Sequence, residues 1–154
     1  MRKFMMVFIL SFMIGAVLLV AACTKEPVKT GDSMIDFIKN EKLANFPSTL
    51  IGNAFDSYKH AKQKSWNKTL YPGGQIAVDF IGWFGPGALS DKDIKDGITD
   101  KGIDVTFVVE TNGSFYVFMV TRLETRSEGK IQRFPLNDIN GILEKIYANK
   151  KIDF

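Results

Sequence analysis

The chain has 154 residues, 45% of them apolar and 24% charged, which is one domain's worth with enough apolar side chains for a real core. Arg2 and Lys3 are two of the 20 basic residues, so beyond Ala22 18 basic residues face 17 acidic ones, and the clustered positive charge of a nucleic-acid-binding surface is missing. Cys23 is the only cysteine and His60 the only histidine, which excludes an intramolecular disulfide and, by count, a zinc site built from Cys and His.

Arg2 and Lys3 are followed by 19 uncharged residues, Phe4 to Ala22, ending in Val20-Ala21-Ala22-Cys23. A positive start, an apolar stretch and small residues before a cut site mark a secretory signal. The cysteine directly after the small residues resembles the lipobox of bacterial lipoproteins, with Val20 where Leu is commoner. That resemblance implies cleavage before Cys23, with diacylglycerol on its thiol. Residues 1–22 are therefore expected to be a lipoprotein signal peptide. An uncleaved transmembrane anchor is the alternative, since a span needs roughly 17–25 apolar residues. Either way the positive end stays inside and the rest of the chain faces away from the cytoplasm. Thr24, in the place of an inner-membrane retention Asp, favours the outer membrane in a cell that has two.

Residues 23–32 lack apolar periodicity and read as a flexible tether. Residues 33–154 are expected to form one domain. Ser33-x-x-Asp36 can start a short helix carrying Met34, Ile35, Phe37 and Ile38. Ser48 or Thr49 can cap a second helix, in which Ile51, Ala54, Phe55 and Tyr58 line one face and Lys59, Lys62 and Lys64 suit the C-terminal end. Strands are expected at Ser65–Tyr71, Gln75–Phe84, Ile103–Thr111 and Ser114–Glu124, separated by Pro72-Gly73-Gly74, Gly85-Pro86-Gly87 and the hairpin dipeptide Asn112-Gly113. On the last strand Phe115, Val117, Met119 and Leu123 are expected to share a face. Ser127-Glu128-Gly129 is a turn, and Asn137 can cap a final helix with Ile139, Ile142, Leu143, Ile146 and Tyr147. The expected class is α+β: a helix, a four-stranded antiparallel sheet, and a C-terminal helix packed on that sheet.

Candidate chemistry is sparse. Asp91, Asp93, Asp96, Asp100 and Asp104 form an acidic run, but Lys95 and Gly102 fall where a calcium loop needs oxygen ligands. The expectation is a solvated loop or short exposed helix with Ser90 and Asp93 as a capping box, and no metal. His60 lies among cations, with nothing to mark it as a base. Glu110 and Glu124 read as exposed rim residues. The glycine-rich pieces lack the Lys-Ser/Thr of a phosphate loop. Trp83, Phe84, Tyr116 and Phe118 sit beside a turn or on a strand with aromatics on both faces, and are the expected interaction surface.

The stretch Pro47–Phe55, then Tyr58, Lys64 and Trp66, then Val78 to Gly82, Phe107-Val108-Val109 and Gly113-Ser114-Phe115 resembles an uncharacterised bacterial lipoprotein domain over residues 45–125. Its helix-then-sheet order is similar to the beta-lactamase-inhibitor-protein-like fold and to small outer-membrane assembly lipoproteins. The resemblance implies a binding or scaffolding module. The expected function is a non-catalytic, cofactor-free envelope lipoprotein, held to the membrane through Cys23 and engaging an envelope protein. The alternatives are an inhibitor of a periplasmic or extracellular enzyme, with Trp83–Leu89 as its plug, and a carboxylate-based hydrolase with two carboxylates about 5–10 Å apart.

Overall fold

A computed structural model describes residues 32–72 and 74–154. The expected signal peptide, Cys23, all of the tether but Asp32, and Gly73 lie outside the described residues. The elements run α1 (Ser33–Asn40), α2 (Ile51–Asp56), β1 (Gln63–Leu70), β2 (Ile76–Trp83), a 3-10 turn (Pro86–Ala88), α3 (Asp91–Lys95), β3 (Ile98–Val109), β4 (Phe115–Arg126), β5 (Ile131–Leu136) and α4 (Ile139–Tyr147). The strands form one antiparallel meander in the order β1-β2-β3-β4-β5.

The α+β class holds, but the sheet has five strands rather than four and two helices precede it. Sequence reading passes over β5 because Pro135 has no N–H to give a ladder. β5 is an edge strand, where such a residue is tolerated. The second helix stops at Asp56, and Lys64 lies in β1 rather than at a helix end. Neither Ser48 nor Thr49 caps it; instead Ile51 N donates to Glu41 O at 2.9 Å. Asp32 caps α1 and Asp138 caps α4, in place of Ser33 and Asn137.

The three tight hairpins close alike. Tyr71, Glu110 and Arg126 N donate to the carbonyls of Gln75, Ser114 and Lys130, and Gly74, Gly113 and Gly129 sit at φ 83°, 84° and 77°. These are three-residue loops ending in a left-handed residue, which glycine adopts without steric cost. Asn112-Gly113 is thus the end of a longer loop, not a two-residue turn.

The helix face of the sheet carries cross-strand rows such as Trp66, Phe80, Val105, Val120 and Leu136. Ile38, Ile51, Phe55, Ile142, Leu143 and Ile146 bury against it. On β4 the expected grouping fails after Val117. Thr106 pairs with Met119 and Phe107 with Val117, so Phe118 is the extra residue of a bulge. One inserted residue reverses the alternation. Val120 joins Phe115 and Val117 over the core, while Met119 and Leu123 go to the opposite face. There Ala77, Val108 and Leu123 are also buried, outside the main cluster. Trp83 lies across Gly102, where an added Cβ would come within 2.8 Å of its ring and of Gly82 O.

Phe55, fully buried, contacts the rings of Trp66, Phe80, Phe107 and Tyr147. Phe55→Ala is expected to cost about 3–5 kcal/mol and Gly102→Ala about 1–3 kcal/mol, read as lower urea midpoints. An unchanged midpoint in the first variant would show that α2 does not hold the core.

Candidate functional site

At the end of the sheet where β2 finishes and β3 begins, the apolar core gives way to charge. Phe84 N donates to Lys101 O at 2.9 Å, and Lys62 N to Trp83 O at 2.7 Å, so the chain leaving β2 stays fastened to its neighbours. Gly85, at φ 77°, turns the backbone, and its N–H is held by Asp100 Oδ1 at 2.9 Å. The 3-10 turn and α3 follow. Ser90 and Asp93 form the expected capping box.

Across from this loop lies the C-terminal segment. Ile152 is buried in the core, and the Phe154 ring lies 5.7 Å from that of Phe84. Tyr58 Oη donates to Lys150 O at 3.0 Å, and burial raises its pKa to about 12. His60, half-buried, has Nε2 3.2 Å from Asn149 O. Between loop and segment is a cleft of about 660 Å³. Sites of roughly 300–1,000 Å³ suit small ligands.

Lys101, only 7% exposed, lines the cleft and pairs with Asp93 at 2.6 Å. Asp93 Oδ2 accepts from Ser90 N at 2.8 Å and Ser90 Oγ at 2.7 Å. The Lys101 ammonium, followed by the Ser90 hydroxyl and backbone, holds the Asp93 carboxyl well below the usual carboxylate range. Asp93 is therefore a fixed negative charge and not a proton carrier near neutral pH. The acidic run is thus not wholly solvated: Asp93 and Asp104 are both buried.

Glu124 is also buried, not an exposed rim residue; Arg122 Nε lies 3.1 Å from its Oε1. The Arg122 guanidinium stacks over Phe134 at 4.7 Å and reaches Phe154 at 6.0 Å. Glu110, at the far hairpin, is half-buried.

The four expected surface aromatics do not form one patch. Phe84 is buried in the core and lines the cleft. Trp83 is half-buried on the opposite sheet face, with Tyr116 six registers along it, about 20 Å away. Tyr116 and the bulged Phe118 are exposed by 43% and 57%, and they alone of the four stay together in the open. Of the Trp83–Leu89 segment, Phe84 to Ala88 line the cleft wall rather than project as a plug. Lys101 and the C-terminal segment escaped sequence reading, because nothing local pairs Lys101 with Asp93 or brings residue 154 to residue 84.

On the sheet face away from the helices, Asp79 and Asp104 occupy diagonal positions. Thr106 Oγ1 donates to Asp79 Oδ1 at 2.7 Å. Arg133 pairs with Asp104 Oδ2, while Oδ1 is buried with no donor among the described residues. Burial raises the Asp104 pKa, the neighbouring Asp79 charge adds to this, and Arg133 opposes it. Burial prevails because Arg133 is 56% exposed and screened by water. Neither carboxylate lines the cleft.

No protein-family model, curated protein or solved structure matches the chain.

A raised folded-state pKa means that the folded chain binds the proton more tightly than the unfolded one. Stability from this group is full in acid and falls as pH rises above about 4. Asp104→Asn removes that dependence. The stability difference between variant and native chain should therefore move in the variant's favour between about pH 3 and 6, as read from urea midpoints. A difference that stays flat or moves the other way would mean that Arg133 governs the group.

Proposed function

We propose that the chain is a lipid-anchored envelope protein whose domain binds a ligand or partner without transforming it. Val20-Ala21-Ala22-Cys23 after an uncharged stretch supports the anchor. With nine residues between Cys23 and Ser33, the domain would stay within about 30 Å of the bilayer surface, at roughly 3.4 Å per extended residue. Two or more acyl chains, at about 0.8 kcal/mol per buried CH₂, make such an anchor stable.

The observation that favours binding over catalysis is the cleft itself. It is preformed, and both oxygens of its buried carboxylate, Asp93, are already engaged by Lys101 and Ser90. A general base needs a pKa near the working pH, and the Lys101 ammonium holds Asp93 far below it. Tyr116 and Phe118, exposed together, add a small apolar surface for an envelope protein. The likeness to lipid-anchored binding and scaffolding domains belongs to this same proposal.

Intact mass of protein taken from membranes should equal residues 23–154 plus acyl groups, and Cys23→Ala should abolish both the acylation and the cut. Retention of Met1 to Ala22 would make the stretch a transmembrane anchor instead. Crosslinking in intact cells followed by affinity capture should recover a stoichiometric envelope protein, weakened by Tyr116→Ser with Phe118→Ser. Background alone would remove the protein-partner half of the reading.

A further inference from the structure

We propose that the cleft lined by Phe84, Phe154 and Lys101 binds a small organic anion, a carboxylate or phosphate monoester with a ring or short apolar body, with its head on Lys101. The inference rests on reading the cleft as a binding site but not on the anchor at Cys23.

Lys101 carries it. An ammonium has three donors. Among the described residues Asp93 is the one ion-pair partner of Lys101 Nζ, at 2.6 Å. Asp93 is better provided: its other oxygen accepts from both Ser90 N and Ser90 Oγ. The pair is therefore lopsided, with an acceptor engaged at both oxygens and a buried donor that has N–H directions to spare. A buried charge with incomplete hydrogen bonding is costly, and an anionic oxygen from the cleft would complete it. Charge-assisted bonds of this kind are about twice as strong as neutral ones.

The rim points the same way. Lys62 and Lys151 line the cleft, and neither has an ion-pair partner among the described residues. Asp153, the other lining carboxylate, faces Lys145 at 3.7 Å. With the Lys101–Asp93 pair neutral as a unit, the free charge that an entering ligand meets is positive. The walls add selectivity for the rest of the molecule. The Phe84 and Phe154 rings lie against each other, 5.7 Å between centroids and tilted by 33°, and offer an apolar surface in the cleft that Lys101 also lines. A bare inorganic ion would leave that surface unused; a ring or short chain would cover it.

The test uses the full chain, purified in a non-ionic detergent whether or not it is cut before Cys23, with the probes observed by fluorine NMR. The probes are 4-(trifluoromethyl)benzoate, 4-(trifluoromethyl)phenyl phosphate and the uncharged 4-(trifluoromethyl)benzyl alcohol. At least one anion should bind about tenfold or more tightly than the alcohol. Comparing the two anions decides whether the head is a carboxylate or a phosphate. Lys62→Gln with Lys151→Gln should weaken anion binding several-fold and flatten its dependence on salt. Lys101→Met should weaken it about tenfold or more. Because that variant strands Asp93, the double change Asp93→Asn with Lys101→Met removes both charges and should lose the anion while remaining folded. Full anion affinity in a folded double variant would overturn the proposal. So would equal binding of the alcohol, which would leave a binding cleft of apolar preference and the functional reading intact. Binding of neither anion up to about 10 mM would also overturn it, and capture of an envelope partner would then decide whether the domain binds elsewhere.

Discussion

The packing of this domain turns on one side chain, Phe55. It comes from α2, six residues long and far too short to persist alone. Its ring meets Trp66 of β1 at 5.8 Å, Phe80 of β2 at 4.9 Å, Phe107 of β3 at 5.7 Å and Tyr147 of α4 at 6.2 Å. Three strands and the last helix thus share one contact, and tilted or edge-on aromatic pairs add about 0.5–1.5 kcal/mol each to simple burial. Lys39 of α1 joins from the side, 5.5 Å over Trp66 and 2.6 Å from Asp56 at the end of α2. Both partners are partly exposed, so this ion pair orients more than it stabilises.

A meander seeded at one face must still end its edges. β1 does so with residues that are polar but for Trp66 and the terminal Leu70, and exposed at every position but Trp66. β5 does so with Pro135, which cannot donate to a further strand. Between them the Phe118 bulge decides which side of β4 faces the helices. It turns Arg122 to the helix side and Leu123 away from it. As a result Arg122 can lie on Phe134 and beside Phe154. The bulge, remote in sequence from the cleft, therefore helps to shape its neighbourhood.

The cleft sits where the core can no longer be closed with apolar groups. Past Ile103 the helix face meets Lys101, and past Val120 it meets Arg122 and Glu124. Buried ions are tolerated only when paired and bonded. Asp93 meets that condition fully and Lys101 only in part. The C-terminal segment closes the other side through Ile152, a single buried anchor. Charge and apolar wall stand together there because the sheet runs beyond its helices.

Much of this was legible in the residues. The helical spacing of Ile51, Ala54 and Phe55, the alternation of Ile76, Val78 and Phe80, and the turn glycines follow from local rules with fixed periods. So does the Ser90–Asp93 box, whose two partners lie three residues apart. β5 was hidden because a proline's tolerance depends on whether its strand lies at an edge, which is a property of the whole sheet. The Phe118 bulge was hidden because only pairing with Thr106 and Phe107 shows which residue is extra. The cleft was hidden for the same reason. Lys101 and Asp93, or Phe84 and Phe154, carry no mutual signal along the chain. Local residue patterns were enough for most of the elements, though not β5, for the apolar face of most of them and for the pattern ending at Cys23. Which charges are buried and what they face emerges only from the assembled fold, because burial and ion pairing depend on distances in space that chain spacing does not encode.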